Sequence, residues 1–115
     1  MKKLLYAALA IAVCAVLFVR PALADASTDI TATGAKVFSA NCAACHQGGN
    51  NLVVPNKTLK ASALKQYGMD STDAIVTQVT NGKGAMPSFK GRLKEEDMKA
   101  VAAYVLDQSA KDWKN

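Results

Sequence analysis

Four stretches of the chain space their apolar side chains at three- and four-residue intervals, the repeat of a helix with one face turned inward. From about Thr31, the apolar or small positions Gly34, Val37, Phe38 and Asn41 share one side and run straight into Cys42. The first helix is therefore expected to end at the cysteines. A second, short helix is predicted over Thr58 to Tyr67, stopped near Gly68, where the backbone can turn left-handed. A third opens at Asp70 or Ser71, which can cap free amides, turns Ile75, Val76 and Val79 inward, and closes at Asn81-Gly82. The last helix places Glu95, Glu96 and Asp97 in its first turn, where the helix dipole favours them, and Met98, Val101, Ala102 and Val105 along its apolar stripe. Glu95 with Lys99 and Asp107 with Lys111 add pairs one turn apart.

Between these stretches no strand is expected. Leu52-Val53-Val54 is apolar but only three residues long and is stopped by Pro55. The fold class is therefore all-α. The segment from Gly48 to Lys57 is longer than most helix connections, as expected of a loop wrapped around something.

The N-terminus changes how the rest is counted. Met1-Lys2-Lys3 precedes an unbroken apolar run of 16 residues from Leu4 to Val19, followed by Ala22-Leu23-Ala24. That run is short of the roughly 20 residues a bilayer requires, and it reads as a secretory signal peptide cleaved between Ala24 and Asp25. Cys14 lies inside it after Val13, where a lipoprotein signal would want a small residue, so it is read as a discarded apolar side chain. Residues 1–24 are thus the leader and 25–115 the working domain, with no stable membrane insertion expected after cleavage.

Over the whole chain the composition is 50% hydrophobic, 20% charged and 6% aromatic, with 7 Gly and 3 Pro, which excludes disordered and collagen-like classes. The formal charge of +5 is mostly leader: 14 basic residues less Lys2, Lys3 and Arg20 leave 11 against 9 acidic, a net +2. So small a charge gives no support to nucleic-acid binding. The remaining 91 residues form a modest core, and something else is expected to help hold it together.

The chemistry is concentrated in Cys42-Ala43-Ala44-Cys45-His46, the C-x-x-C-H arrangement of c-type haem attachment. Two thiols two residues apart on a helical turn can each bond to a haem vinyl group, and the adjacent histidine then sits under the iron as a metal ligand. Competing readings lack what they need. A thioredoxin-like dithiol wants a βαβ setting, structural zinc wants four ligands, and a Cys42–Cys45 disulfide leaves His46 unexplained.

His46 is the only histidine of the chain, so a second axial ligand must be another residue type. After the leader the candidates are Met69, Met86 and Met98. Met98 lies in the stripe of the last helix and Met69 in the Gly68-Met69-Asp70 link, where packing is the simpler role. Met86 lies in Asn81-Gly82-Lys83-Gly84-Ala85-Met86-Pro87, whose glycines let the backbone approach a flat cofactor and whose proline stiffens the residue presenting the sulfur. A thioether suits haem iron. Gln78, beside the stripe of the third helix, can face either the haem or solvent, and Arg92, near the methionine loop, is either a steering charge or an ordinary surface cation.

Cys42-Ala43-Ala44-Cys45-His46 with Gly48-Gly49-Asn50-Asn51, the Asn81-to-Pro87 loop with Phe89 and Gly91-Arg92-Leu93, Val101-Ala102-Ala103-Tyr104-Val105, and Trp113 together resemble the cytochrome c6 family of class I c-type cytochromes. The resemblance spans essentially all of the domain. It implies about four helices around one covalently attached haem c, the first and last helices crossing with Gly34 and Phe38 against Tyr104. It also implies a soluble carrier of single electrons from cytochrome f of the cytochrome b6f complex to photosystem I, with cytochrome oxidase as a further acceptor in cyanobacteria. The destination it implies is the thylakoid lumen, or the periplasm.

With Cys42 and Cys45 bonded to the haem and His46 and Met86 as axial iron ligands, no position is left for oxygen or substrate, and no second histidine can serve as acid or base. No catalytic residue is expected, and the chain reads as no enzyme. The alternative is a haem-based sensor or peroxidase-like enzyme with a labile sixth ligand.

Overall fold

The computed structural model describes residues 22–114, with side chains from Ala26 onward. The apolar run of the predicted leader, with Cys14, lies outside the described residues. Helix α1 spans Ala22–Asn41, α2 Ala43–His46, α3 Ala61–Gln66, α4 Thr72–Asn81 and α5 Glu95–Ala110, with one 3-10 turn at Gln47–Gly49. Among the described residues there is no strand, and only two isolated bridges, Lys83 with Met86 and Lys90 with Leu93. No described helix is long and apolar enough to cross a membrane.

Two boundaries differ in informative ways from those the apolar spacing predicts. Helix α1 begins well before Thr31, and its residues from Ala26 to Ile30 are exposed. Apolar periodicity records only the packed face, so an exposed first part leaves no trace in it. Helix α3 is shorter than Thr58 to Tyr67 because Leu59 is committed elsewhere: its amide donates to the Gly49 carbonyl (2.7 Å), and its carbonyl accepts from the Trp113 indole (2.9 Å). The far end of α3 is as expected, with Gly68 at φ +66° and the amides of Gly68 and Met69 closing onto the carbonyls of Lys65 and Leu64. Of the two cap candidates for α4, Ser71 is the one used, its hydroxyl accepting from the Ala74 amide at 3.2 Å. Both predicted pairs on α5 form, Lys99 with Glu95 and Lys111 with Asp107, each at 2.9 Å in solvent.

Helices α1 and α5 cross at Gly34, as the resemblance implies. A Cβ there would lie 2.1 Å from the Ala100 carbonyl oxygen and 2.7 Å from the Tyr104 Cβ, so only glycine allows this approach. One turn on, Phe38 packs its ring against Tyr104 (centroids 5.2 Å apart) and Trp113 (5.4 Å). The core gathers beside this crossing from Phe38, Leu64, Val79, Phe89, Val101 and Val105, with Val101 only 1% exposed.

Gly34→Ala tests the crossing. The added methyl must push α1 away from α5 at a cost of about 2–3 kcal/mol, read as a lower urea midpoint with an unchanged slope. A midpoint equal to that of the unsubstituted protein would contradict the close approach.

Candidate functional site

The C-x-x-C-H segment is wound around one carbonyl. The amides of Cys45 and His46 both donate to the Cys42 carbonyl (3.2 and 3.0 Å), while the Cys42 amide closes the last turn of α1 onto Phe38 (2.9 Å). Cys42 and Cys45 are free thiols; Cys42 is half-buried and Cys45 exposed. Burial pushes the Cys42 thiol up to about 11, because a low-dielectric setting disfavours the thiolate.

Gly48 at φ +66° and Gly49 at φ +81° then turn the chain back beneath the histidine. His46 Nδ1 lies 3.0 Å from the Asn50 carbonyl oxygen. A carbonyl can only accept, so the bond places the proton on Nδ1 and leaves the Nε2 lone pair available. That is the tautomer a metal-ligating imidazole needs.

The segment after Asn50 forms a wall. Asn51 Oδ1 accepts from the amides of Val53 (3.1 Å) and Val54 (2.8 Å), and its Nδ2 donates to the Lys57 carbonyl (2.9 Å). A single side chain therefore supplies the order that helix or sheet bonds would otherwise give. At its far end Asn56 Nδ2 donates to the Tyr67 hydroxyl (3.0 Å) and the Lys57 ammonium stands 5.3 Å from the Tyr67 ring centroid.

On the opposite side, Lys83 and Met86 exchange two backbone hydrogen bonds of 3.0 Å each around Gly84 at φ +57°. Gly82, at φ +74°, lets this turn close: a Cβ there would be 2.7 Å from the Met86 carbonyl oxygen and from the Ser88 amide. This glycine thus serves the loop's own backbone, where the sequence suggested close approach to a cofactor. The Phe89 amide donates to the Val79 carbonyl (2.9 Å), tying the loop to α4. From α4, Gln78 Nε2 donates to the Met86 sulfur at 3.6 Å, so its amide turns inward.

These parts enclose one cavity of about 420 Å³. Cys42, Cys45, His46 and Met86, the four site residues expected from the sequence, all line it, with Gln78 beside them. Met69 lines it too, half-buried against the core. Met98 does not; it is buried in α5 with its sulfur 3.5 Å from the Thr80 hydroxyl, which donates to the Val76 carbonyl at 2.7 Å. Arg92 is exposed, with its guanidinium 5.0 Å from the Phe89 ring centroid. Sequence reasoning missed Asn51, Tyr67 and Trp113 as organising residues. Asn51 had a local signal, since asparagine ahead of a loop commonly bonds the amides that follow it.

A helical chain whose first and last helices cross beside an apolar cavity, with a C-x-x-C-H turn on one wall and a methionine loop on another, is a class I c-type cytochrome. The family model described as "Cytochrome C oxidase, cbb3-type, subunit III" matches residues 29–105. Cytochrome c6 of Thermosynechococcus vestitus is 56% identical over 113 residues, covering 98% of each chain. That of Thermostichus vulcanus is 59% identical over 106 residues, covering 90% of this chain and 94% of its own. The solved structure of cytochrome c6 from the diatom Phaeodactylum tricornutum superposes with a TM-score of 0.71 at 49% identity, over 72% of this chain and 98% of that one. The chain belongs to the cytochrome c6 family, within the cytochrome c domains that the family model describes. It is a haem electron carrier with one covalently attached haem c.

The residues present fit that group. Two free thiols, an imidazole with a free Nε2 and a thioether line the same cavity, and the apolar core residues Phe38, Leu64, Ile75, Val79, Val101 and Val105 form much of its wall.

Asn51→Ala removes three hydrogen bonds from the wall. The expected loss is about 2 kcal/mol of stability, together with faster amide hydrogen exchange at Val53 and Val54. Unchanged exchange at those two amides would contradict the role given to Asn51.

Proposed function

We propose that Cys42 and Cys45 hold the haem through thioether bonds, and that His46 Nε2 and Met86 Sδ take the two axial positions of its iron. The observation that carries this reading is the single cavity onto which both thiols, the imidazole with its Nδ1 engaged by Asn50, and the Met86 sulfur all open. Met86 is preferred to Met69 because its loop is built to hold it, by the pair of backbone hydrogen bonds with Lys83 and by the amide of Gln78.

Haem c, when bound, supplies a one-electron ferric–ferrous couple. The chain's own residues restrict it to that. With His46 and Met86 both holding the iron, and no second histidine to donate or accept protons, the group would have no site left for bond-making catalysis. Apolar walls disfavour the extra positive charge of the oxidised form. Gln78, by donating to the Met86 sulfur, draws electron density from that donor and acts in the same direction.

Residues 25–115 are the exported domain, freed of a leader at 1–24, and the compartment is the thylakoid lumen or the periplasm. The electron donor is cytochrome f of the cytochrome b6f complex and the acceptor photosystem I, with cytochrome oxidase as a second acceptor. The family relationship supports these partners. A net charge of +2 over the domain suits brief, weakly charged docking. Arg92, exposed and held over the Phe89 ring next to the methionine loop, is the steering charge.

Two substitutions test the reading. Met86→Ala should abolish the weak far-red sulfur-to-ferric-iron absorption band, lower the reduction potential and open the reduced protein to carbon monoxide; untouched optical and redox properties would contradict ligation by Met86. Arg92→Glu should slow electron transfer to photosystem I about tenfold at low salt, with the difference closing as ionic strength rises. A rate equal to that of the unsubstituted protein at low salt would remove Arg92 from docking.

A further inference from the structure

The chain ends α5 in an uncommon way. Asp112 and Trp113 both take left-handed backbone, at φ +54° and +56°, and they are the only described non-glycine residues to do so. A bulky side chain in that region is a conformational outlier that persists only where surrounding contacts hold it. Those contacts are specific. The Trp113 amide donates to the Gln108 carbonyl (2.8 Å), which folds the segment back. The indole then lies flat against Gly49, so close that a Cβ there would be 2.5 Å from ring atoms Cδ1 and Nε1. Its Nε1 donates to the Leu59 carbonyl at 2.9 Å, and the Leu59 amide donates to the Gly49 carbonyl at 2.7 Å. Gly49 is thus pressed from one side by the indole and tied on the other to a residue the same indole holds. It is buried, and it is the residue before Asn50. The Asn50 carbonyl, in turn, receives the His46 Nδ1 proton at 3.0 Å.

We propose that Trp113 is a positioning residue for the axial histidine: it locks the Gly48–Gly49 turn and thereby fixes the Asn50 carbonyl that orients and polarises the His46 imidazole. The bent end of α5 is the device that delivers the indole there. Its consequence is electronic as well as geometric. A firmly held acceptor on Nδ1 gives the imidazole partial anionic character, which favours ferric iron and lowers the reduction potential. This rests on the assignment of His46 as axial ligand.

The experiment uses the haem-loaded protein and follows the His46 Nδ1 proton by NMR, alongside the reduction potential, in Trp113→Phe, Trp113→Ala and Met98→Ala. Met98→Ala loosens the buried face of α5 away from both the cavity and the Gly49 turn and serves as the control for lost stability. The expected result is Nδ1–H exchange about tenfold faster in Trp113→Ala, an intermediate effect in Trp113→Phe, which keeps a ring but loses the donor, and a potential that rises in the same order. Met98→Ala should leave exchange and potential where they were. A strong ring-current shift of the His46 resonances with exchange and potential unmoved in both Trp113 variants would overturn the positioning role alone. So would equal changes in Met98→Ala. Absence of that shift in the unsubstituted reduced protein would instead overturn the ligand assignment, and the proposal with it.

Discussion

The close crossing of α1 and α5 at Gly34 is the constraint on which the rest of the molecule depends. With no side chain at that position, the two longest of the described helices approach until the Ala100 carbonyl meets the α1 backbone. The consequence on α1 is that Phe38, one turn later, faces Tyr104 and Trp113, and that the next residues, Cys42 to His46, leave the helix at the edge of the core. On α5 the same approach brings Val101 and Val105 to the cavity and sends the end of the helix towards Gly49. The placing of the C-x-x-C-H segment and the packing of the core are therefore set by one contact.

The second constraint is that the core and the site share their walls. Most of the buried apolar side chains also line the cavity, so a domain of this size, with few residues to spare, builds its interior around a prosthetic group. The arrangement has a functional side. Walls that stabilise the fold by apolar burial also set the dielectric in which a charge is gained or lost, while two polar groups are aimed at the ligand candidates, the Asn50 carbonyl at His46 and the Gln78 amide at Met86. Both axial candidates are thus held by a hydrogen bond from a neighbouring turn or helix.

Much of this was legible in the sequence, for identifiable reasons. The apolar stripe of α5, the Ser71 cap and the glycine stops after α3 and α4 are local signals, and local physics decides them. The C-x-x-C-H motif and the Met86 loop stand out as fixed residue types at fixed spacing, and the fold brings both to one cavity. What escaped was decided over long distances. The start of α3 is delayed by bonds from Leu59 to Gly49 and to Trp113, 54 residues away, and no window along the chain contains both partners. The exposed first part of α1 left no apolar imprint. Gly82 was read as making room for a cofactor, whereas its neighbours are the loop's own backbone atoms. Trp113 was noticed as a marker of resemblance, without the turn it holds.

In the proposed site, Met86 and His46 together would hold the haem iron. The most direct measurement is the proton NMR spectrum of the reduced, haem-loaded protein with its methionine methyl groups assigned. A methyl bound over the face of a tetrapyrrole is displaced far upfield by the ring current, and that resonance must belong to Met86. Finding it on Met69 or Met98, or finding no methionine methyl displaced at all, would contradict iron ligation by Met86.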